Sequence, residues 1–321
     1  MIKEIKAEDL DTEKFIEEKV SEIDSLVGNN YAINALSGGV DSSAVTMLGH
    51  RALGNRLKTY FIDNGLMREN EPEQVVSLFK QFEVPVEIID AKEQFFSALK
   101  GLTDPEEKRE KGITQTFYKE VFGKLVKESN ARYLLQGTIL TDVDETVAGI
   151  KRQHNVFEQL GINPEEAFGY KILEPLIQLR KDGVRKLAKA LGLPESLYNR
   201  MPFLGPALAG RIIGEVTPEK IQTIRKATSI VEQVLSSSGA FQYMAILHPD
   251  RVPGMRNGKR DYGLQIEVRC WDSIDARVAT PTRLPYETLD TIAKRITTEV
   301  PGVVNVVYNI TPKPPSTMEA V

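Results

Sequence analysis

Hydrophobic patterns typical of strands and of helices alternate along the first half of the chain. Short apolar runs at residues 31–36, 59–62, 84–89 and 131–137 predict buried strands. The segment 71–82, between two of these runs, has apolar side chains at helical spacing. Strands that alternate with helices indicate an α/β fold with a parallel, doubly wound sheet. In such a sheet, ligands bind beyond the carboxyl ends of the strands.

The pattern changes near residue 203, where Pro and Gly interrupt the sequence. Beyond it, apolar residues have helical spacing at 218–235 and 286–299. Strand-like runs lie at 242–247, 263–269 and 303–310. This order predicts a separate α+β unit. Because 321 residues exceed what one hydrophobic core comfortably holds, we expect two domains, residues 1–203 and residues 204–321.

Composition narrows the class of protein. Apolar residues make up 41% and charged residues 27% of the chain, which is ordinary for a globular protein. The formal charge of -4 argues against a nucleic-acid-binding surface, which needs a basic excess. No apolar run approaches the ~20 residues that span a bilayer, and the charged N-terminus has no signal-peptide core. We therefore expect a cytoplasmic protein without a membrane or nucleic-acid partner.

Cysteine and histidine are scarce, which limits the possible metal and redox sites. The single Cys270 excludes a disulfide framework and a Cys-x-x-Cys motif. With three histidines in the whole chain, a histidine-based zinc site is disfavoured. Cys270 lies in a strand-like run, where we expect it to pack as a small hydrophobic residue.

The most informative chemistry lies in Leu36–Ser43, which reads Leu-Ser-Gly-Gly-Val-Asp-Ser-Ser between a predicted strand and a predicted helix. Gly38 and Gly39 allow a tight turn that brings backbone N–H groups close to an anion. Hydroxyl donors are added by Ser37, Ser42 and Ser43. Asp41 would repel phosphate unless a divalent cation lies between them, so Asp41 is the candidate metal ligand. An ordinary strand-to-helix turn is the alternative.

The loop is not a Walker loop, because it lacks the lysine of that motif. Its Ser-Gly-Gly-x-Asp-Ser pattern resembles the PP-loop of the ATP pyrophosphatases. Beyond the loop, the chain resembles the ATP pyrophosphatase part of GMP synthase, in the archaeal form that is encoded apart from its glutaminase. The matching segments include residues 61–66, 103–109, 136–139, 173–176, 181–185, 198–203, 214–216 and 313–315. The resemblance implies a PP-loop α/β domain followed by an α+β dimerisation and substrate-binding domain.

The resemblance also implies a reaction. The C2 oxygen of XMP attacks the α-phosphorus of Mg²⁺-bound ATP, which gives an adenylated purine and pyrophosphate. Ammonia then displaces AMP and yields GMP. By the same resemblance, ATP and Mg²⁺ are the cofactors, a separate glutamine amidotransferase subunit supplies the ammonia, and the chain forms a homodimer through its C-terminal domain.

On the ATP side, the resemblance implies that the serines and glycines of the loop hold the phosphates. Gly137 and Thr138 then form the other wall of the nucleotide site. Asp142, Glu145 and Lys151 lie in the segment that acts as a lid in the family. Asp142 and Lys151 join Asp41 as candidate catalytic residues, since a lysine ammonium would offset charge that develops at the α-phosphate. An exposed loop lysine is the alternative for Lys151.

On the acceptor side, Arg109 and Lys313 match positions that approach the XMP phosphate, and Glu145 joins them as a candidate substrate-binding residue. The planar guanidinium of Arg109 suits a phosphate. The alternative for Arg109 is a solvated helix charge, because residues 104–111 are crowded with charges. Lys313 stands next to two prolines, which favours a fixed position over a solvated tail.

The chain departs from the family where the purine would bind. Phe157 and Glu158 replace a Gly-Gly pair of the lid, Leu204 replaces a proline and Ala207 a glycine, and the chain ends in Val321 without the acidic terminus of the family. Two alternatives therefore stay open. One is a paralogous PP-loop ligase that adenylates another carbonyl-bearing substrate, and the other is a non-catalytic nucleotide-sensing subunit.

Overall fold

The computed structural model describes residues 2–147, 169–199, 207–256, 258–274 and 278–319. The chain forms two compact units. The first contains residues 1–62, 72–90 and 118–200, and the second contains 63–71, 91–117 and 201–321. The last of these boundaries lies close to the division expected at residue 203. Two earlier segments, 63–71 and 91–117, nevertheless make their contacts within the second unit.

The first unit is built around a sheet with the strand order β3-β2-β1-β4-β5. Its strands are β1 (Ala32–Ala35), β2 (Leu57–Asp63), β3 (Val86–Asp90), β4 (Tyr133–Leu135) and β5 (Lys171–Leu173). Strand β1 pairs in parallel with both β2 and β4, and β4 pairs in parallel with β5. This confirms the parallel sheet that the alternating pattern predicts.

Helices separate these strands in the sequence. They are α1 (Thr12–Val27), α2 (Val40–Leu53), a 3₁₀ turn (Gly54–Arg56), α3 (Glu71–Lys80), α4 (Lys92–Leu99), α5 (Pro105–Glu107), a π-helix (Lys108–Phe122), α6 (Gly123–Ser129), α7 (Leu140–Val147), α8 (Lys181–Ala190) and α9 (Glu195–Tyr198). The helical stretch before β4 begins as the π-helix, which the periodicity did not predict. Such stretches are uncommon and are often found near functional sites.

Helix α2 lies close to the sheet because one of its residues has no side chain. A Cβ placed on Gly49 would lie 2.5 Å from Leu135 Cδ2 on β4 and 3.0 Å from Leu57 Cδ2 on β2. Neighbouring side chains of α2, among them Val45 and Leu48, are buried. The helix is therefore held against two strands, which fixes the position of its N-terminus beside the loop that follows β1.

The second unit contains a mixed sheet and two long helices. Its elements are a 3₁₀ helix (Ala207–Arg211), α10 (Pro218–Leu235), β6 (Gln242–Arg256), β7 (Lys259–Ser273), β8 (Ala279–Pro281), α11 (Tyr286–Glu299) and β9 (Val303–Tyr308). Strand β7 pairs antiparallel with β6 and β8 and parallel with β9. The α+β pattern and both long helices match the prediction. Strands β6 and β7 are longer than predicted, because they continue as a hairpin.

Cys270 on β7 is buried, and burial raises the pKa of its thiol. This agrees with the expected packing role. Across the described ranges, no helix combines the length and apolar character that crossing a bilayer requires.

Candidate functional site

The loop after β1 begins at a fixed point of the sheet. The Leu36 N–H donates to the Tyr60 carbonyl on β2 at 2.8 Å, so the chain stays in the sheet up to this residue. Gly38 then adopts φ 77°, in the left-handed region that favours glycine. Gly39 is the N-cap of α2 and offers no side chain to the helix. The first N–H groups of α2 are thus left to an external acceptor, where the helix dipole favours an anion.

Serine hydroxyls hold the loop in shape. Ser37 Oγ and Ser42 Oγ are 2.9 Å apart, and Ser42 Oγ donates to the Gly39 carbonyl at 3.0 Å. The Ser37 N–H also donates to Ser42 Oγ at 3.2 Å. These bonds cross the loop from its start to the first turn of α2. The loop is therefore organised by its own residues, which lowers the cost of ordering it around a ligand.

Asp41, in the first turn of α2, forms an ion pair that sequence reasoning missed. Lys181 Nζ lies 2.6 Å from Asp41 Oδ2, and the two side chains are 43% and 27% exposed. Lys181 is the first residue of α8. The signal in the sequence was the family-like segment 181–185, which was matched without a role for its lysine. The structure places a cation beside the candidate metal ligand.

The β4–α7 connection brings Gly137 against the start of α2, and the role of Gly137 and Thr138 as a wall of the nucleotide site stays a prediction. A Cβ on Gly137 would lie 3.1 Å from the Asp41 carbonyl carbon and 3.2 Å from the Ser42 nitrogen. The position therefore accommodates the approach of two backbones, which a larger residue would disturb. Thr138 is buried at 5% exposure.

Three oxygens around this wall lack partners. Asp41 Oδ1, Ser43 Oγ and Thr138 Oγ1 are buried and form no hydrogen bond within the part of the chain that the structure describes. Buried polar atoms are normally hydrogen-bonded, so such a group calls for an explanation. A cation bound at Asp41 would satisfy its Oδ1.

The remaining candidates of the lid segment are placed only in part. Asp142 lies in the first turn of α7, and its Oδ2 accepts a hydrogen bond from the Ile139 N–H at 3.0 Å. This contact caps the helix and gives Asp142 a structural role there. Glu145 lies on α7, but its side chain is outside the described part, and Lys151 is outside the described residues altogether. Their roles stay predictions.

Arg109 belongs to the second unit. Its side chain is exposed on the π-helix and forms no ion pair with the residues described. Lys108 beside it is buried, and its Nζ donates to the carbonyls of Ile212 at 2.8 Å and Gly214 at 3.1 Å. Burial, aided by the charge of Lys220, lowers the Lys108 pKa to about 8. Sequence reasoning did not single out this lysine.

Lys313 also lies in the second unit, where its backbone is held in place. Its N–H donates to the Ala279 carbonyl at 2.8 Å, and the Ala279 N–H donates back at 3.1 Å. The Lys313 side chain is partly buried. This supports the expectation that the segment has a fixed position, while contact with a substrate stays a prediction.

Glu267, on β7 near this segment, sits in a buried charged network. Burial would raise its pKa, but hydrogen bonds with His248, Arg269 and Asn309 outweigh that effect and lower the pKa to about 2. Glu267 is therefore ionised at neutral pH. The sequence carried no motif that singled out this network.

The departure at Ala207 has a structural consequence. Ala207 has φ 52°, a left-handed conformation in which an L-residue is strained. The family pattern has glycine at this position, which accepts such a φ without strain. Leu204, Phe157, Glu158 and Val321 lie outside the described residues.

The structure thus gathers the predicted ATP-side residues in the first unit. They are Ser37, Gly38, Gly39, Asp41, Ser42, Ser43, Gly137 and Thr138. Within the described ranges there is no cluster of three or more His, Cys, Asp or Glu side chains that could enclose a metal ion. A cation at Asp41 would therefore need ligand oxygens and water as its other ligands, which is how Mg²⁺ commonly binds with phosphates.

Comparison with known families identifies two regions of the chain. The family described as NAD synthase matches residues 10–149, and the family described as GMP synthase C terminal domain matches residues 229–320. The first match covers the loop after β1 and the β4–α7 connection. The second covers most of the unit with the mixed sheet.

Relatives extend the similarity over nearly the whole chain. The chain is 49% identical over 310 residues to a subunit of the glutamine-hydrolysing GMP synthase of Pyrococcus furiosus, a match that covers 96% of the chain and 97% of the relative. The subunit of the same name from Methanopyrus kandleri is 44% identical over 317 residues, covering 96% and 99%. Among solved structures, an NH3-dependent NAD synthetase from Campylobacter jejuni, in complex with nitrate, covers 61% of this chain and 80% of its own. It has 17% identity and a TM-score of 0.46.

Proposed function

This chain belongs to the family of these GMP synthase subunits, and we propose that it carries out the ATP-dependent amination of XMP to GMP. In this reaction XMP is adenylated with release of pyrophosphate, and ammonia then displaces AMP. The enzyme is a C–N ligase. Its substrates, XMP and ATP, are both phosphorylated nucleotides. This suits a chain that has a helix N-terminus where an anion is favoured and the positively charged side chains of Arg109, Lys181 and Lys313.

One observation carries the proposal. Asp41 stands in the first turn of α2, where an anion is favoured, and its buried Oδ1 has no partner among the described residues. A carboxylate at this position opposes phosphate binding unless a cation joins them. The arrangement therefore supports a polyphosphate that arrives with a divalent metal, as Mg²⁺-bound ATP does.

Different residues of the loop would bind different parts of such a ligand. The N–H groups around Gly38 and Gly39 and the first turn of α2 would bind the pyrophosphate that leaves. Asp41 would hold Mg²⁺, which neutralises phosphate charge when bound. Once the metal ion replaces Lys181 as the partner of Asp41, the Lys181 ammonium would move toward the phosphate oxygens. Each group stabilises charge and holds position, which is most of what phosphoryl transfer requires.

We propose that Arg109 and Lys313 bind the XMP phosphate, with Lys151 acting on the α-phosphate of ATP. The exposed guanidinium of Arg109 and the anchored backbone of Lys313 support this assignment. The altered acceptor-side residues should weaken XMP binding. Losing two or three good hydrogen bonds at ~1 kcal/mol each corresponds to roughly a 10- to 100-fold weaker apparent affinity.

We also propose two partners. The relatives are named as one subunit of a glutamine-hydrolysing enzyme, which supports a separate glutaminase as the source of ammonia. A second copy of the chain is proposed at the C-terminal unit, where Tyr286, Val307 and Ile310 expose apolar side chains. The mass of the purified chain in solution, measured by light scattering, tests the dimer. A monomer would contradict it.

The test of the reaction is direct. The purified chain is incubated with XMP, ATP, Mg²⁺ and an ammonium salt, and AMP, pyrophosphate and GMP are measured together. We expect all three products in equal amounts. ADP and phosphate in place of AMP and pyrophosphate would contradict the PP-loop assignment.

A second candidate follows from the departures on the acceptor side, including the strained Ala207. If ATP binds but millimolar XMP neither binds nor triggers pyrophosphate release, the chain is a paralogous ligase for another carbonyl-bearing nucleotide. ATP binding without turnover on any acceptor would instead indicate a nucleotide-sensing subunit.

A further inference from the structure

The C-terminal tail of the chain, residues 311–319, is held at two points rather than left to fray. Near its start, Lys313 and Ala279 exchange two backbone hydrogen bonds. Near its end, Met318 is 5% exposed and packs with Trp271 and Ala279. Terminal residues are commonly poorly ordered unless something fixes them. The described part of this tail is therefore fixed near both of its ends.

Arg269 on β7 makes most of the polar contacts at the end of the tail. One of its guanidinium nitrogens, Nη1, donates to the carbonyls of Thr317 at 2.9 Å, Met318 at 3.3 Å and Glu319 at 3.1 Å. The Glu319 side chain is also fixed, because Gln242 Nε2 donates to its Oε1 at 2.6 Å. The buried guanidinium of Arg269 thus donates hydrogen bonds to three successive backbone carbonyls.

Glu267 sets the direction of that guanidinium. It lies two residues before Arg269 on the same face of β7, and its Oε1 accepts from Arg269 Nε at 2.6 Å. Asn309 Nδ2 donates to the same oxygen at 2.8 Å, and His248 Nε2 lies 2.7 Å from Oε2. Both carboxylate oxygens of Glu267 are therefore hydrogen-bonded, and the bond to Arg269 Nε fixes the orientation of the guanidinium.

Burying such an ion pair is a poor way to gain stability alone. Desolvation offsets much of the attraction between the charges, and an apolar pair of similar volume often stabilises a core as well. A buried ionic network does restrict geometry, because the planar guanidinium must satisfy fixed partners. Here that restriction acts on the segment that carries Lys313.

We propose that Glu267 and Arg269 are positioning residues that lock the C-terminal tail so that Lys313 is presented at a fixed place to the phosphate of the nucleotide acceptor. The proposal rests on the proposed role of Lys313 in binding XMP. Neither residue touches the reacting atoms. Freeing the tail should weaken acceptor binding and leave ATP binding unchanged.

The experiment combines kinetics with hydrogen exchange on the full chain. Arg269→Ala should raise the apparent KM for XMP about 10-fold or more, while the KM for ATP changes less than about twofold. Amide exchange in a peptide covering residues 311–319 should accelerate, and exchange in α10 should not. Arg269→Lys, which keeps the charge and loses the fork, should lie between Arg269→Ala and the wild type.

The matched control is Arg295→Ala. Arg295 forms an exposed ion pair with Glu299 on α11 of the same unit and makes no contact with the described part of the tail. It should change neither KM nor tail exchange. If Arg269→Ala fails to fold by circular dichroism, Arg269→Lys and Glu267→Gln carry the same comparison.

Several outcomes would overturn the proposal. Unchanged exchange in the tail would show that Arg269 does not lock it. A freed tail with an unchanged KM for XMP would show that the lock does not position Lys313, as would equal rises in the KM for XMP and ATP. If the wild type makes no GMP from XMP, the proposed function has failed, and the exchange data still decide whether Glu267 and Arg269 hold the tail.

Discussion

At the level of single residues, Asp41 unites most of the chemistry of the site. It belongs to the loop and forms an ion pair with Lys181, which lies 140 residues later in the sequence. Its buried Oδ1 has no partner in the described structure. Position and charge together distinguish it from the many exposed carboxylates of the chain. A change that removes its charge and keeps its shape isolates its role.

We predict that Asp41→Asn keeps the fold and lowers the rate of Mg²⁺-dependent AMP formation by about 10²-fold or more, since it removes a group that centres charge stabilisation. Turnover and thermal unfolding are measured on the same preparation. Asp290→Asn is the control, because Asp290 pairs only with Lys294 on the exposed side of α11 among the contacts described. Wild-type turnover in a folded Asp41→Asn variant would contradict the assignment of the loop.

At the level of elements, a buried polar chain joins the two central strands to the helix of the loop. Asn34 Nδ2 on β1 donates to Thr46 Oγ1 on α2 at 2.6 Å, and Thr59 Oγ1 on β2 donates to Asn34 Oδ1 at 2.8 Å. Thr46 Oγ1 in turn donates to the Ser42 carbonyl at 2.8 Å. This chain connects the core of the sheet to the first turns of α2, so it helps to set the position of the loop.

We predict that Asn34→Ala lowers the free energy of unfolding by about 1–3 kcal/mol, because the buried hydroxyl of Thr59 loses its acceptor. Denaturant unfolding measures the loss. Asn55→Ala, at an exposed position before β2, should stay within about 0.5 kcal/mol of the wild type. Equal effects at both positions would show that the polar chain is not what stabilises this region.

The end of α3 offers a second test, in which one substitution should act in opposite directions. Glu83, exposed just beyond the helix, has φ 58°, where glycine relieves strain. Glu73 is exposed within the helix, where glycine costs about 1 kcal/mol. We expect Glu83→Gly to raise the free energy of unfolding by about 0.5–1 kcal/mol and Glu73→Gly to lower it by a similar amount. Thermal unfolding measures both, and the same sign at both positions would contradict the argument.

At the level of the whole molecule, we expect stability in acid to depend on Glu267 in the second unit. The folded-state pKa of Glu267 is about 2, below its usual value of 4.5. A lowered carboxyl pKa contributes stability that is fully present above pH 4.5 and is lost as the pH falls toward 2. We predict that Glu267→Gln flattens this dependence. Urea midpoints between about pH 6 and 3 measure it, and equal slopes for variant and wild type would contradict the role of Glu267.

The supply of nitrogen is a second property of the whole molecule. Because the relatives are one subunit of a glutamine-hydrolysing enzyme, we predict that the chain alone uses ammonium salts, better at raised pH where free ammonia is present. It should be inert with glutamine until the cognate glutaminase is added. GMP formation measures both. Glutamine-dependent activity of the chain alone would reveal a hydrolase site that neither sequence nor structure indicated.

The fold class and the place of the loop between β1 and α2 could be predicted from the sequence because their signals are local. Strand and helix periodicities lie within short windows, and the glycines, serines and Asp41 of the loop are consecutive. The position of Gly137 beside the loop was also predictable, because parallel strands end at the same edge of a sheet. The long helices Pro218–Leu235 and Tyr286–Glu299 have the predicted bounds for the same local reason.

Contacts between distant segments could not be predicted in this way, because periodicity says nothing about which separated side chains meet. Lys181 reaches Asp41 across 140 residues, and Arg269 binds Thr317 across 48. The assignment of 63–71 and 91–117 to the second unit is likewise a matter of contacts. The sequence by itself determines the loop, because its residues are consecutive. Only tertiary packing decides that Lys181 lies beside Asp41 and that Arg269 binds the tail, because these residues are far apart in the sequence.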